Sequence, residues 1–169
     1  MSARELTVDG LALRRATTEA DGAAIQAILE ADPGTWLLLE GAPLVPDEGV
    51  LMLTIRPPEV PLERKHVFVA DGVCVLDMID GYPVATTWFL GLIFIAPGHR
   101  GGGLGTRVLD AITAHVRTHG GTELRLGVVV ENTAARRFYD RLGFRHVASK
   151  TRPTPSGGIT HLDVLELAL

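Results

Sequence analysis

The 169 residues are enough for one domain with one substantial core, and 46% apolar against 21% charged residues is a globular balance, neither disordered nor fibrous. A net charge of −4 leaves no broad basic footprint for nucleic acid. The longest apolar-rich stretch, 88–97, is too short for the about twenty residues of a membrane helix. The polar start, 1–10, lacks the basic-then-apolar profile of a signal peptide. Cys74 is the one cysteine, so no internal disulfide forms, and its apolar surroundings read as inert burial. These features predict a cytoplasmic protein without membrane or nucleic-acid partners, with residues 1–169 as a single domain.

In chain order, 11–16 reads as a short strand. Thr17 or Thr18 opens a helix over 20–31, with Ile25, Ile28 and Leu29 on one face. Asp32-Pro33-Gly34 stops it. From Trp36 to Pro61 the chain is an apolar run followed by five prolines, which predicts a short helix and irregular loops. Strands follow at 66–70 and 73–79, joined by the hairpin dipeptide Asp71-Gly72. After the turn 80–83, the apolar run 84–95 reads as a strand buried on both faces.

Pro97 and a cluster of glycines end that strand. A helix over 103–119 carries Leu104, Val108, Ile112 and Val116 at four-residue intervals, and Gly120-Gly121 stops it. A strand at 123–130 precedes a helix capped by Asn132 and ended by Gly143. Strands at 144–149 and 161–169 flank a Pro/Gly/Ser loop at 152–158. Hairpins in the middle make the sheet mostly antiparallel, and the strand–helix–strand unit over 90–130 requires one parallel pair. The fold class is therefore α/β, a mixed sheet with helices on both faces.

The run from Pro97 to Thr106 joins a buried strand to an amphipathic helix. The first N–H groups of a helix have no internal partner, and the dipole makes that end partly positive. Glycines let an anion approach those groups, while Arg100 and Thr106 add donors. No lysine lies between Lys65 and Lys150, so the P-loop pattern fails, and no register of the glycines gives G-x-G-x-x-G. What remains is a phosphate grip of another kind.

Arg100-x-x-Gly103-x-Gly105 resembles the coenzyme-binding signature of the GNAT superfamily of acyl-CoA-dependent N-acyltransferases. A second family signature follows in the same order, as the run from Asn132 to Tyr139 and then Leu142-Gly143-Phe144. The resemblance is clear over 89–147. It implies a central, mostly antiparallel sheet splayed at the coenzyme site. The main chain of Ile93, Phe94 and Ile95 would receive the pantetheine arm, with an N–H around Phe94 near the thioester oxygen. Arg100, Gly101, Gly103, Leu104, Gly105 and Thr106 would surround the pyrophosphate. Asn132 would both cap its helix and touch the coenzyme.

The same resemblance makes Tyr139 the acid that protonates the departing thiolate of acetyl-CoA, with no metal. The acceptor is a primary amine, small or peptidic, and a homodimer is expected from the family. A base must also take the amine's proton. Many family members carry a carboxylate on the strand before the glycine turn, but 84–92 here contains no acid. Asp77 and Asp80 are the substitutes, with Glu131, His161 and Glu40 behind them. The missing acid also leaves open an acyl-CoA-binding regulatory module with little catalysis. His115 and His119 have i, i+4 spacing but no third ligand for a metal.

Overall fold

The computed structural model describes residues 5–169. The first four residues of the polar start lie outside them. Eight strands form one sheet: β1 (Glu5–Val8), β2 (Leu11–Arg15), β3 (Lys65–Ala70), β4 (Cys74–Asp80), β5 (Thr87–Ile95), β6 (Glu123–Val129), β7 (Arg145–Pro153) and β8 (Ile159–Ala168). Their spatial order is β1-β2-β3-β4-β5-β6-β8-β7, and only β5 and β6 run parallel. Helices α1 (Glu19–Glu30), α2 (Pro33–Glu40) and α3 (Glu48–Met52) precede β3. Helix α4 (Leu104–Thr118) makes the crossover from β5 to β6, and α5 (Thr133–Arg141) follows β6.

Alternation along the strands divides the core into two layers. Val67, Val69, Val75 and Phe94 pack with Ile25, Ile28 and Leu29 of α1, Trp36 of α2 and Met52 of α3. Phe68, Cys74, Leu76 and Leu90 face the other way, against Val108, Ile112 and Val116 of α4. The four-residue stripe read from the sequence is thus the buried face of α4. Burial pushes the Cys74 thiol up to about 11, which keeps it protonated and inert.

Capping chemistry explains the helix starts. Thr18 and Asp21 form a reciprocal capping box on α1. Asp32-Pro33-Gly34 ends α1 but also begins α2, because Asp32 accepts from Thr35 N–H and Pro33 suits the first helical turn. Strand β1 adds an element that the sequence reading does not contain. It buries Leu6 and Val8 and turns into β2 at Asp9-Gly10, both at positive φ.

The strand expected at 84–95 begins only at Thr87, since the chain folds back through Tyr82 N–H to Thr87 O (2.9 Å) and Thr87 N–H to Val84 O (2.9 Å). It is also flanked by strands on both sides over only half its length. Parallel pairing with β6 covers Thr87 to Leu90 and then stops, while pairing with β4 continues to Ile95. Gly91 marks the change. Asp77 pairs with Leu92 and Met78 with Leu90, so Gly91 is an extra residue in β5. Such a bulge bends its strand and increases its twist, which carries β5 away from β6 and opens a wedge between them.

Candidate active site

The wedge leads to the glycine turn. Gly101 and Gly103 adopt φ of +83° and +77°, a region that side chains disfavour. Gly103 is the N-cap of α4, and no side chain caps that helix, so its first N–H groups stay open to an anion. Arg107 donates to Gly102 O at 2.8 Å and holds the turn from below.

A cleft of about 580 Å³ joins the turn to the wedge. Its walls include Ile93, Phe94, Ile95, Arg100, Gly101, Gly103, Leu104, Gly105, Thr106 and Asn132, together with Thr35, Tyr139 and Arg141. The structure thus brings all ten sequence-predicted coenzyme residues to one cavity. Their main chains do not all face it. Ala96 N–H donates across to Val73 O at 2.8 Å, and Val75 lies opposite Phe94 with Cys74 opposite Ile95. Antiparallel alternation therefore turns the N–H and C=O of Phe94 toward β4 and those of Ile93 and Ile95 into the wedge. The main chain of Phe94 is therefore engaged with β4, and of the three residues only Ile93 and Ile95 turn theirs to the opening.

Asn132 caps α5, its Oδ1 accepting from Ala135 N–H at 3.2 Å, and the same residue lines the cleft. Tyr139 lies two turns on. Its ring packs edge-on between Phe138 (5.1 Å) and Phe144 (5.3 Å). Burial pushes its hydroxyl up to about 12, so it remains a proton donor at neutral pH.

A narrower cavity of about 120 Å³ continues from this cleft. Thr35, Ile93, Asn132, Ala135 and Tyr139 line both spaces. Leu39 of α2, Leu90 to Ile93 of β5 and Leu126 to Val129 of β6 form the remaining walls. Leu39 falls in the segment 36–61 for which a short helix and loops are expected, and Thr35 just before it; α2 is that short helix, and it brings both residues to the cavity. Arg152 Nη2 donates to Leu39 O at 2.6 Å and Ser156 Oγ to Gly41 O at 3.0 Å, which ties α2 to the β7–β8 hairpin above the cavity.

The two carboxylates expected near the chemistry are separated. Asp77 lies on β4 beside the bulge, with both oxygens 2.8 Å from the Lys65 ammonium. Burial pushes its carboxyl up, opposed by Lys65. Asp77 does not line the narrow cavity, but Gly91 does, and a Cβ on Gly91 would lie 3.4 Å from Asp77 Oδ2. Asp80 is the last residue of β4, three positions on. It accepts from His66 Nε2 at 2.8 Å and lines a separate cavity of about 370 Å³ with Glu63, Trp88, His115 and His119. Arg15 donates to the other ring nitrogen of His66 at 2.8 Å, which fixes the tautomer. The rings of His115 and His119 lie 4.1 Å apart and tilted by 33°, and no cluster of three or more ligating side chains among the described residues is placed to hold a metal ion. Of the further acids and bases considered, Glu131 is exposed, His161 lines another groove, and Glu40 pairs with Arg152 at 3.4 Å.

A sheet parted at a bulge, with an uncapped helix start at the mouth of the opening, leaves a long cleft with an anion-accepting end. Residues 49–144, more than half of the chain, match the Acetyltransferase (GNAT) family, and the chain belongs to it. It is similar to an acetyltransferase of Thermus thermophilus at 28% identity and a TM-score of 0.71, covering 93% of this chain and 97% of that one. A probable GNAT-family acetyltransferase of Chromobacterium violaceum shares the fold with a TM-score of 0.80 at 13% identity, over 99% of this chain and 87% of that one. Over 128 residues the chain is 28% identical to the mycothiol acetyltransferase of Beutenbergia cavernae, covering 70% of this chain. The chain spans 43% of the length of that curated relative, and 28% of the length of a second one, from Bacillus subtilis. No helix among the described residues is long and apolar enough to cross a membrane.

Proposed function

We propose that this protein transfers an acetyl group from acetyl-CoA directly to a primary amine. The observation that carries the reading is the junction of the two cavities. Tyr139, Asn132 and Ile93 line both the space fitted to the coenzyme and the narrower space beyond it. A thioester lying along β5 would place its carbonyl at that junction, where an amine entering from the narrow side would meet it.

The chain's groups then divide the work. The open N–H groups of α4 and the Arg100 guanidinium hold the pyrophosphate. Ile93 through its main chain and Ile95 through its N–H, its carbonyl being held by Arg100, pair with the pantetheine arm as an added strand would. As the amine nitrogen bonds to the carbonyl carbon, the oxygen gains negative charge, and the Ile93 N–H stabilises it. The carbon–sulfur bond breaks, and Tyr139 gives its proton to the departing sulfur. Asp77 takes the proton lost by the amine, through water crossing the gap at Gly91. Asp80, on the other cavity, has no part in this scheme.

The test is incubation with acetyl-CoA and a panel of small and peptidic primary amines, with thiol release followed alongside product mass. The expected result is one thiol released per amine acetylated. Binding of coenzyme A without thiol release for any amine would overturn the reading.

A further inference from the structure

Arg100 is the side chain with which the glycine turn would reach the pyrophosphate, and it is already held from three sides. Its Nε donates to Ile95 O at 2.7 Å, its Nη1 to Asp32 Oδ2 at 2.6 Å, and its guanidinium carbon lies 5.7 Å from the centre of the Phe94 ring. The partner 68 positions away in sequence is the least expected. Asp32 does not line the coenzyme cleft. Its carboxylate is held in turn by Thr35, whose N–H donates to Oδ1 at 3.0 Å and whose hydroxyl donates to Oδ2 at 2.6 Å.

The geometry of a guanidinium makes these contacts consequential. Its five N–H donors lie in one rigid plane. Fixing Nε and Nη1 fixes the direction of the remaining edge. Both Nη2 donors are left uncommitted among the described residues, on a side chain that lines the cleft. An anchored arginine loses its rotamer freedom on folding and not on binding, which favours the complex. Asp32 stays ionised for the same structural reasons: the Thr35 hydroxyl and N–H, then Arg100, bring its carboxyl down to about 2.

We propose that Asp32 is a positioning residue for the coenzyme: it orients Arg100 so that Nη2 meets the pyrophosphate, and through Thr35 it fixes that arginine to helix α2. The proposal rests on the reading of the cleft as an acyl-CoA site. It also gives α2 a second task, since Thr35 lines both the coenzyme cleft and the narrow cavity.

The sign of the effect separates this role from plain electrostatics. A carboxylate near a pyrophosphate repels it, so loss of the charge alone would tighten binding. Asp32→Asn retains a residue suited to the N-cap of α2 and sets a donor against the Arg100 donor. Calorimetric titration with coenzyme A is therefore expected to show binding about tenfold or more weaker in Asp32→Asn, the scale of one charge-assisted hydrogen bond. KM for acetyl-CoA rises by a similar factor while kcat holds. In an Arg100→Met background the same substitution no longer weakens binding. Asp32→Ser, another good N-cap, serves if Asp32→Asn melts early. Unchanged or tighter binding in Asp32→Asn, or equal weakening in the Arg100→Met background, would overturn the proposal. Failure of the unsubstituted protein to bind coenzyme A would overturn the cleft reading itself, and the proposal with it.

Discussion

Gly91 is the extra residue of β5 opposite the step from Asp77 to Met78, and a Cβ on it would sit 3.4 Å from the Asp77 carboxylate. One residue thus does two things. Its insertion bends β5 away from β6, and it is the residue through which the wall of the narrow cavity meets the Asp77 carboxylate.

Filling that gap tests the path for the amine proton. Gly91 is not among the glycines at positive φ, and a Cβ meets only ordinary contacts. Gly91→Ala should therefore fold, and thermal melts should show stability unchanged or raised by about 0.4–1 kcal/mol through the unfolded chain. Gly91→Val should lower kcat/KM for the amine by about tenfold or more, because its branches occupy the space that water needs. Coenzyme A affinity should move by less than about twofold, a difference well under 1 kcal/mol. An unchanged kcat/KM in Gly91→Val would remove Asp77 from the proton path.

Tyr139→Phe keeps the ring between Phe138 and Phe144 and deletes only the hydroxyl. Its stability should change little, while kcat should fall by about a hundredfold or more, the usual contribution of a positioned acid. KM for acetyl-CoA should stay nearly constant. Single-turnover measurements check this where chemistry limits the rate. A full-rate variant would mean that solvent protonates the sulfur.

What is legible in the sequence follows from the range of the interactions. Asn132 capping α5 and the glycines before α4 are local, so residue type and spacing suffice. Asp9-Gly10 is equally local, the same type of dipeptide as Asp71-Gly72, yet the polar residues around it hide β1. Asp32-Pro33-Gly34 reads as a stop, because a cap for the next helix looks the same as a break after the last. The bulge at Gly91 is not legible at all. It is defined by the register against β4, and that register also decides that Ile93 and Ile95, but not Phe94, turn their main chain into the wedge. The Asp77–Lys65 and Asp32–Arg100 pairs likewise depend on which elements the fold brings together.

Lys65 should set the acid limb of the pH–rate profile. Burial raises the Asp77 carboxyl, and the Lys65 ammonium lowers it. The limb is therefore expected above the ordinary carboxylate value of about 4. Lys65→Met fills similar space but leaves burial unopposed, so the limb should move to higher pH by about one unit or more. The check is kcat/KM for the amine across pH at saturating acetyl-CoA. A limb that stays in place would show that another group accepts the proton.

His115 predicts a loss of stability in weak acid, independent of catalysis. It lies in the interior face of α4, 7% exposed, edge-on to Trp88 at 5.4 Å and to Phe68 at 5.9 Å. Burial lowers its pKa to about 4, and His119, His66 and Arg15 add to the effect. In the unfolded chain the same imidazole titrates near about 6.5. Between these values the unfolded state binds the proton and the folded state does not. Stability therefore falls as pH drops from about 6.5 toward 4, by up to about 3 kcal/mol. The Asp21 and Asp32 carboxyls, both held down to about 2, lose their contribution only at lower pH, so the two windows are distinct. His115→Leu keeps an apolar contact with Phe68 and Trp88 and has no proton to bind. Denaturant melts at pH 7, 6, 5 and about 4.5 should show a markedly flatter decline for this variant than for the unsubstituted protein. Equal slopes in the two proteins would mean that the buried imidazole is protonated without cost, against the placement of His115 between α4 and the sheet.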